Sequence, residues 1–163
     1  MFLVGRYPLV IDKKNRLAIP NALRAKINAD SDGTSYYVSP GPGPGKLWIF
    51  PEKYFERLYA DLPPAEMMSE ALREQIGFDF SQTSLVDPDS QGRILLPGWL
   101  LERNGISEKV MLVGAKDRLE LQDRSAFERD ESQKMDNYLD RRSRAFEELK
   151  QIRERQEERL GKQ

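Results

Sequence analysis

The stretch Val10–Arg24 (VIDKKNRLAIPNALR) and the stretch Asp87–Leu101 (DPDSQGRILLPGWLL) share one frame, 77 residues apart. In both, Asp is followed after three variable positions by Arg, three apolar residues and Pro, and then by Leu after two more positions. Asn15 of the first repeat corresponds to Gly92 of the second. Because Asn and Gly tolerate a positive φ better than other residues do, this exchange predicts the tight turn of a β-hairpin in each repeat.

The repeat continues beyond this frame. Asn28 corresponds to Gly105 at the same offset, which predicts a left-handed residue that ends a helix in each repeat. Leu47–Phe50 then corresponds to Leu119–Gln122 at an offset of 72, so the first repeat contains five extra residues. We expect them in two turn-rich segments, 30–33 and 40–45, because surface loops tolerate insertions.

Short apolar runs separated by turns predict two strands, a helix, two strands and a helix in each repeat. Tyr7–Ile11 and Leu17–Ile19 are predicted to pair as a hairpin around the first turn, and a helix is expected over 21–27. The fold class is therefore α+β, with mostly short β-strands and a C-terminal helix. The predicted boundaries are a first repeat at 1–60, a helical bridge at 61–80, a second repeat at 81–129 and a charged C-terminal helix at 130–163.

The composition excludes several classes of function. The 163 residues include no Cys and no His, which removes disulfides, the commonest zinc sites and His-dependent catalysis. We therefore expect no enzyme, no cofactor and no metal, and a carboxylate-based enzyme is a distant alternative. No run has the length of a membrane span, and the N-terminus lacks the pattern of a signal peptide, which favours a cytoplasmic location.

Positive charge is concentrated in the first repeat. Residues 1–26 hold six basic residues and one acidic residue, an excess of +5, whereas the matching segment 79–103 has a balance of −2. A turn with two Lys and one Arg has a shape that can enter a DNA major groove, where Arg pairs with guanine and Lys contacts phosphate. The candidate DNA-contacting residues are Arg6, Lys13, Lys14, Asn15, Arg16 and, in the second repeat, Arg93.

Three further residues are expected to shape the turns. Asp12 and Asp89 are placed to accept backbone N–H groups two residues on, as Asp commonly does in turns, and Gly92 supplies the backbone freedom. Asp87 and Asp89 also make the second turn more acidic, so we expect Arg93 to matter less for DNA than Arg16.

The last forty residues have the pattern of an exposed helix. Apolar residues form a stripe that thins beyond Arg153, and acidic and basic residues alternate along the rest. A solvated helix end is expected, with a coiled-coil contact as the alternative. On this basis the segment Arg153–Gln163 is predicted to be dispensable for assembly and for DNA binding.

The doubled frame, together with Val110–Gly114 (VMLVG) and Leu119–Leu121 (LEL), resembles the MraZ family of bacterial transcriptional regulators over about residues 1–150. The resemblance implies two AbrB-type swapped-hairpin, double-psi-like barrel repeats packed as a pseudo-dimer. It further implies a ring-like homo-oligomer, located at the nucleoid, that binds repeated double-stranded promoter sites and represses the division and cell-wall gene cluster. DNA contacts would then fall on Lys13, Lys14 and Arg16.

A second class of function fits the same composition. An oligomeric scaffold, or a regulator that binds proteins through its aromatic surfaces, would need no DNA contact. Salt-dependent binding of duplex DNA distinguishes the two hypotheses, because neutralised phosphates release counterions.

Overall fold

A computed structural model describes the backbone of residues 1–160 and the side chains as far as Glu157. The strands are β1 (Leu3–Val10), β2 (Arg16–Ala18), β3 (Tyr36–Pro40), β4 (Lys46–Pro51), β5 (Ser84–Val86), β6 (Arg93–Leu95), β7 (Lys109–Lys116) and β8 (Leu119–Asp123). The helices are α1 (Asn21–Arg24), α2 (Ala29–Asp32), α3 (Glu52–Leu58), α4 (Glu70–Ser81), α5 (Gly98–Arg103), α6 (Arg124–Asp136) and α7 (Tyr138–Leu160), with a 3₁₀ turn at Ala65–Met67. These elements confirm an α+β fold with antiparallel strands and a C-terminal helix.

The strands form a six-stranded sheet in the order β1-β7-β8-β4-β3-β5 and a two-stranded sheet of β2 and β6. Every pairing is antiparallel. The counterparts in the two repeats are β1 and β5, β3 and β7, and β4 and β8. If each strand is exchanged for its counterpart, the order of the large sheet is the same when it is read from the opposite edge. The two repeats therefore contribute equivalent halves to shared sheets.

The predicted hairpin between Tyr7–Ile11 and Leu17–Ile19 is wrong in its pairing. β1 pairs along its full length with β7, and β2 pairs with β6. The turn itself is present, since the Asn15 N–H donates to the Asp12 carbonyl at 2.8 Å. A duplicated chain offers each strand an equivalent partner in the other repeat, and the eight-residue ladder with β7 satisfies more backbone groups than a three-residue hairpin arm would.

The strand register shows where the five extra residues lie. Val38 pairs with Ile49 between β3 and β4, and Leu112 pairs with Leu121 between β7 and β8. Val38 therefore corresponds to Leu112 at an offset of 74, and Ile49 corresponds to Leu121 at an offset of 72. The offset between the repeats thus falls from 77 to 74 before β3 and from 74 to 72 before β4. Three extra residues thus precede β3 and two lie in the β3–β4 tip, which agrees with the two expected insertion segments.

Asn28 does not have the predicted left-handed conformation. Its φ is −95°, and its side chain accepts the N–H groups of Asp30 and Ser31 as the N-cap of α2. Gly105 has the predicted positive φ, at 60°. The difference follows from the three extra residues, because they fold as the short helix α2 and Asn is among the best N-cap residues. The predicted helix over 21–27 accordingly ends at Arg24.

The two repeats share one hydrophobic core. Leu17 and Ile94 are both fully buried and face each other in the small sheet. The other fully buried side chains, which come from both repeats, are Leu3, Leu23, Val38, Leu47, Ile49, Leu96, Leu100, Val110, Leu112, Leu119 and Leu121. Side chains of the two repeats lie in one cluster, so each repeat depends on the other for burial of its apolar face.

The chain divides into two compact units, Met1–Phe127 and Glu128–Gln163. In the second unit, the predicted exposed helix is present as α7, which carries apolar side chains that are about half exposed, among them Phe146 at 58% and Leu149 at 49%. The predicted tail Arg153–Gln163 extends past the described residues, which end at 160. Within the described range, none of the helices combines the length and the apolar character needed to cross a bilayer.

Candidate nucleic-acid interface

The first turn is organised by the carboxylate of Asp12. Its Oδ1 accepts the backbone N–H groups of Lys14 and Arg16, both at 2.9 Å, and its Oδ2 accepts Nε of Arg16 at 2.7 Å. Nη2 of Arg16 also lies 2.7 Å from Oδ2. The Arg16 side chain first, and then the backbone N–H groups, lower the pKa of Asp12 from 3.8 to about 2.

The second turn repeats this geometry. Asp89 accepts the N–H groups of Gln91 and Arg93 at 2.9 and 3.0 Å and Nε of Arg93 at 2.8 Å. The Arg93 side chain and backbone likewise lower the pKa of Asp89 to about 2. Asn15 and Gly92 occupy the same position in the two turns, with φ of 59° and 73°. The turns therefore differ in side chains and not in backbone shape.

The small sheet ties each turn to the other repeat. The Ile19 N–H donates to the Gly92 carbonyl at 3.0 Å, and the Leu96 N–H donates to the Asn15 carbonyl at 2.8 Å. Because β2 and β6 are antiparallel and each begins at its turn, the two turns lie at opposite ends of the small sheet. The result is two rigid tips that are held by the same core.

The two tips differ in the positive charge that they expose to solvent. Lys13 and Lys14 are exposed, and neither ammonium group makes a hydrogen bond or an ion pair with another residue in the described part of the chain. The corresponding residues in the second turn are Ser90 and Gln91. The first tip therefore presents two unpaired cations, and the second presents none from the turn itself.

The arginines of the two turns are held by their own carboxylates. Arg16 is about one third exposed and Arg93 about one quarter exposed, and each forms its ion pair at 2.7 Å. Each keeps N–H donors beyond those that face the carboxylate, because a guanidinium has five. Arg6, also a predicted contact residue, lies exposed on β1 opposite Val113.

The two acidic residues of the second turn have different partners. The charge of Asp89 is paired with Arg93, as Asp12 is with Arg16. Asp87 lies before the turn and accepts the Ser35 hydroxyl at 2.5 Å. The contrast between the turns therefore comes from Lys13 and Lys14 in the first repeat and from Asp87 in the second, where the first repeat has Val10.

Arg24 is a cation near the second turn that the sequence motifs did not identify. Its Nε donates to the Ile19 carbonyl at 3.1 Å, and its Cζ would lie 2.5 Å from a Cβ placed on Gly92. Gly92 thus makes room for a guanidinium that comes from the first repeat. The mismatch with Leu101, the corresponding residue of the second repeat, is the sequence signal that could have pointed to it.

The carboxylate of Asp12 should contribute to stability only above its titration range. A depressed folded-state pKa stabilises the fold fully above about pH 4 and loses this contribution as the pH falls toward 2. We expect Asp12→Asn to lower the urea midpoint at pH 7 and to differ little from the parent at pH 2. Asp61→Asn is the control, because Asp61 is exposed and makes no hydrogen bond with another described residue. A gap between parent and Asp12→Asn that stays constant with pH would contradict this account.

Gly92 should resist substitution for two reasons. Its φ of 73° is unfavourable for a residue with a Cβ, and the Cβ would displace Arg24 from its bond to Ile19. We expect Gly92→Ala to lower the free energy of unfolding by about 1–2 kcal/mol, as measured by urea denaturation.

Gly43→Ala is the matched control, since Gly43 also has a positive φ, of 86°, but no atom lies within 4 Å of the added Cβ. If Gly43→Ala were as costly as Gly92→Ala, the contact with Arg24 would play no part.

The shared sheets and the two matching turns define a duplicated α+β protein. Its Asp–Arg ion pairs and its two unpaired lysines lie on these exposed turns. Among the residues that the structure describes, no group of three or more acidic side chains is arranged to hold a metal ion.

Comparison with known proteins identifies the family. The family model described as "MraZ protein, putative antitoxin-like" matches residues 80–149. A protein named Transcriptional regulator MraZ from Heliobacterium modesticaldum is 32% identical over 127 residues, which covers 78% of this chain and 84% of the relative. Its counterpart from Moorella thermoacetica is 31% identical over 128 residues, with 78% and 85% covered. The chain belongs to the MraZ family.

The similarity also extends along nearly the whole chain. A protein of the same name from Paenarthrobacter aurescens is 28% identical over 148 residues, which covers 91% of this chain and 93% of the relative. The resemblance inferred from the doubled frame is therefore confirmed.

Proposed function

We propose that this protein is a DNA-binding transcriptional regulator that uses the first turn as its principal contact. The observation that carries the proposal is the pair of unpaired ammonium groups, Lys13 and Lys14, on a turn fixed by Asp12. Because the hydrogen bonds to Asp12 fix the backbone of the turn, phosphate binding orders only the lysine side chains and not the backbone. The names of the relatives point to the same role.

Each residue of the turn has a distinct role in this proposal. Lys13 and Lys14 contact phosphates, which gives affinity without sequence information. Arg16 is oriented by Asp12 and uses its remaining N–H donors on a base edge in the major groove. Asn15, at the left-handed position, adds an amide that can contact a base or phosphate. Arg6 and Arg93 are supporting contacts.

The finer features of the proposal concern the fold and its target. The exchange symmetry of strand order and register supports AbrB-like, double-psi-like barrel repeats with swapped hairpins, packed as a pseudo-dimer. We place the protein in the cytoplasm at the nucleoid, on repeated double-stranded promoter sites of the division and cell-wall gene cluster. Its action there is proposed to be repression.

Self-association into a ring-like homo-oligomer is part of this proposal. β1 is an edge strand of the large sheet, and it carries Val4 and Val10, which are 56% and 59% exposed, beside Phe2 at 64%. Exposed apolar residues on a sheet edge favour association. Several tips on one particle would bind repeated sites with greater avidity than one tip does.

We expect light scattering at micromolar concentration to give the mass of an oligomer. Val4→Lys combined with Val10→Lys should shift the distribution toward monomer, whereas Leu95→Lys, at an exposed position on the small sheet, serves as the control. A monomeric mass for the unmodified chain would contradict the ring.

The experiment that tests the function is a fluorescence-anisotropy titration with duplex DNA from upstream of the protein's own gene. Specific binding requires a higher affinity for this duplex than for a shuffled duplex of equal length. The affinity should also fall as salt is raised, since phosphate contacts release counterions. Equal affinity for both duplexes would contradict sequence-specific binding, and no binding would favour the protein-binding scaffold.

A further inference from the structure

A cavity of about 500 Å³ lies between the β3–β4 tip, β4, α3, α4 and the end of α5. Its aromatic wall is continuous. Trp48 meets Phe50 edge-on at 5.8 Å between ring centroids, Phe50 lies 5.5 Å from Phe55, and Phe55 lies 4.9 Å from Tyr59. Phe78 of α4 also lines the cavity and is 53% exposed. Phe50 and Phe55 are buried, so Phe78 and the half-buried Trp48 supply the ring surface that solvent, or a ligand, can reach.

The strand ladder does not require an aromatic residue at positions 48 and 50. At the offset of 72, Trp48 and Phe50 correspond to Glu120 and Gln122, and β8 forms the same ladder with those polar residues in place. Trp48 and Phe50 are therefore aromatic in the first repeat alone, whereas Phe55 corresponds to Phe127. An aromatic surface that is absent from one of two equivalent positions points to a specific use.

The wall is also preorganised. The guanidinium of Arg118 stacks over the Trp48 ring at 4.4 Å and is itself bound by Asp117 and Glu120. Such stacking fixes the indole on one side. A rigid aromatic wall loses little entropy when a ligand ring packs against it.

The polar edge of the cavity carries one guanidinium without a carboxylate partner. Arg103 of α5 donates to the Gln82 side-chain oxygen, and it forms no ion pair within the described residues. Asp79 also lines the cavity, and its Oδ1 accepts the Gln75 amide at 2.8 Å. Arg103 keeps four further N–H donors, and a carboxylate is their best-matched partner.

We propose that this cavity binds a small aromatic carboxylate, with its ring against Trp48 and Phe78 and its carboxylate on Arg103. The volume falls in the range of small-molecule sites, which are mostly apolar with a few converging polar groups. The site is separate from the DNA-contacting turn, so the inference holds whether or not the chain binds DNA.

Trp48 provides a direct readout of binding. In a Trp99→Phe background, Trp48 is the single tryptophan, and ligands with a phenyl ring do not absorb at its excitation wavelength. We expect 3-phenylpropanoate to change the Trp48 fluorescence saturably. The anion should bind about thirtyfold more tightly than 3-phenylpropan-1-amine, because Arg103 attracts the anion and repels the amine, each by about fivefold in water-like surroundings.

Two variants separate the ring contact from the charge contact. Phe78→Ala should weaken the binding of both ligands about tenfold, because it removes half-exposed ring surface. Arg103→Gln should weaken the binding of the anion about fivefold, strengthen that of the amine by a similar factor, and so remove the preference. Leu72→Ala, on α4 but outside the cavity, and Lys109→Gln, at an exposed position on β7, should leave both affinities unchanged. Urea midpoints equal to the parent's show that the variants are folded.

Four results would overturn the proposal. They are a fluorescence change that does not saturate, tighter binding of the amine through Asp79, equal affinity in parent and Phe78→Ala, and an affinity that varies with protein concentration. The last of these would mean that another molecule of the chain covers the cavity.

Discussion

Replacing both Lys13 and Lys14 with alanine is expected to weaken DNA binding about thirtyfold at physiological salt, by the loss of two phosphate contacts for each tip. The plot of log affinity against log salt should become shallower by about two. Both effects follow from charge alone, since the Asp12–Arg16 pair and the backbone hydrogen bonds of the turn remain. Anisotropy titrations at three salt concentrations measure both quantities.

The second repeat offers a matched control for this experiment. Ser90→Ala with Gln91→Ala changes the equivalent positions of a turn with the same backbone and removes no charge. Its affinity and salt slope should stay close to those of the parent. An equal loss in the two double variants would mean that turn shape, and not the lysine charge, determines DNA binding.

Leu17→Ala should destabilise the fold by about 2–5 kcal/mol, the range for large-to-small changes in a well-packed core. Leu17 is fully buried, and its register partner in the small sheet is Ile94, its own counterpart in the second repeat. A cavity at this point affects both repeats at once. The measurement is the urea midpoint at unchanged slope of the unfolding transition.

Leu95→Ala is the control for the core prediction. Leu95 lies next to Ile94 on β6 and is 58% exposed, so its truncation should cost less than about 0.5 kcal/mol. Ile94→Ala combined with Leu17→Ala should cost less than the sum of the single changes, because the two sites share one cavity. Similar losses for Leu17→Ala and Leu95→Ala would contradict a core centred on the small sheet.

Local features of the sequence predicted the turns correctly. Positive φ at Asn15, Gly92 and Gly105 follows from residue type, since few other residues adopt it at low cost. Asn28 is the exception, since its φ is negative. The inserted residues after it form a short helix, and the Asn28 side chain caps the N-terminus of that helix. A residue type narrows the choice of local conformations, and the following residues select among them.

Local sequence features did not predict which strands pair with each other or which residues the cations contact. β1 and β2 are neighbours in sequence and join different partners from the second repeat. Arg24 reaches the turn at Gly92 although the two residues are far apart along the chain. Predicting either contact requires knowing how the two repeats pack against each other, and the order of residues along the chain does not give that packing.

The sequence by itself determined the duplication, the shape of both turns, the α+β class and the family, since each depends on residue type at fixed spacing. Only the tertiary structure decided that β1 and β2 pair with strands of the second repeat, and that Asp12 and Asp89 hold Arg16 and Arg93 equally, which leaves Lys13 and Lys14 as the unpaired cations of the first turn. The physical reason is the choice between equivalent partners. Two copies of one pattern satisfy the same hydrogen bonds within a repeat or between repeats, and burial of a shared core favours pairing between them.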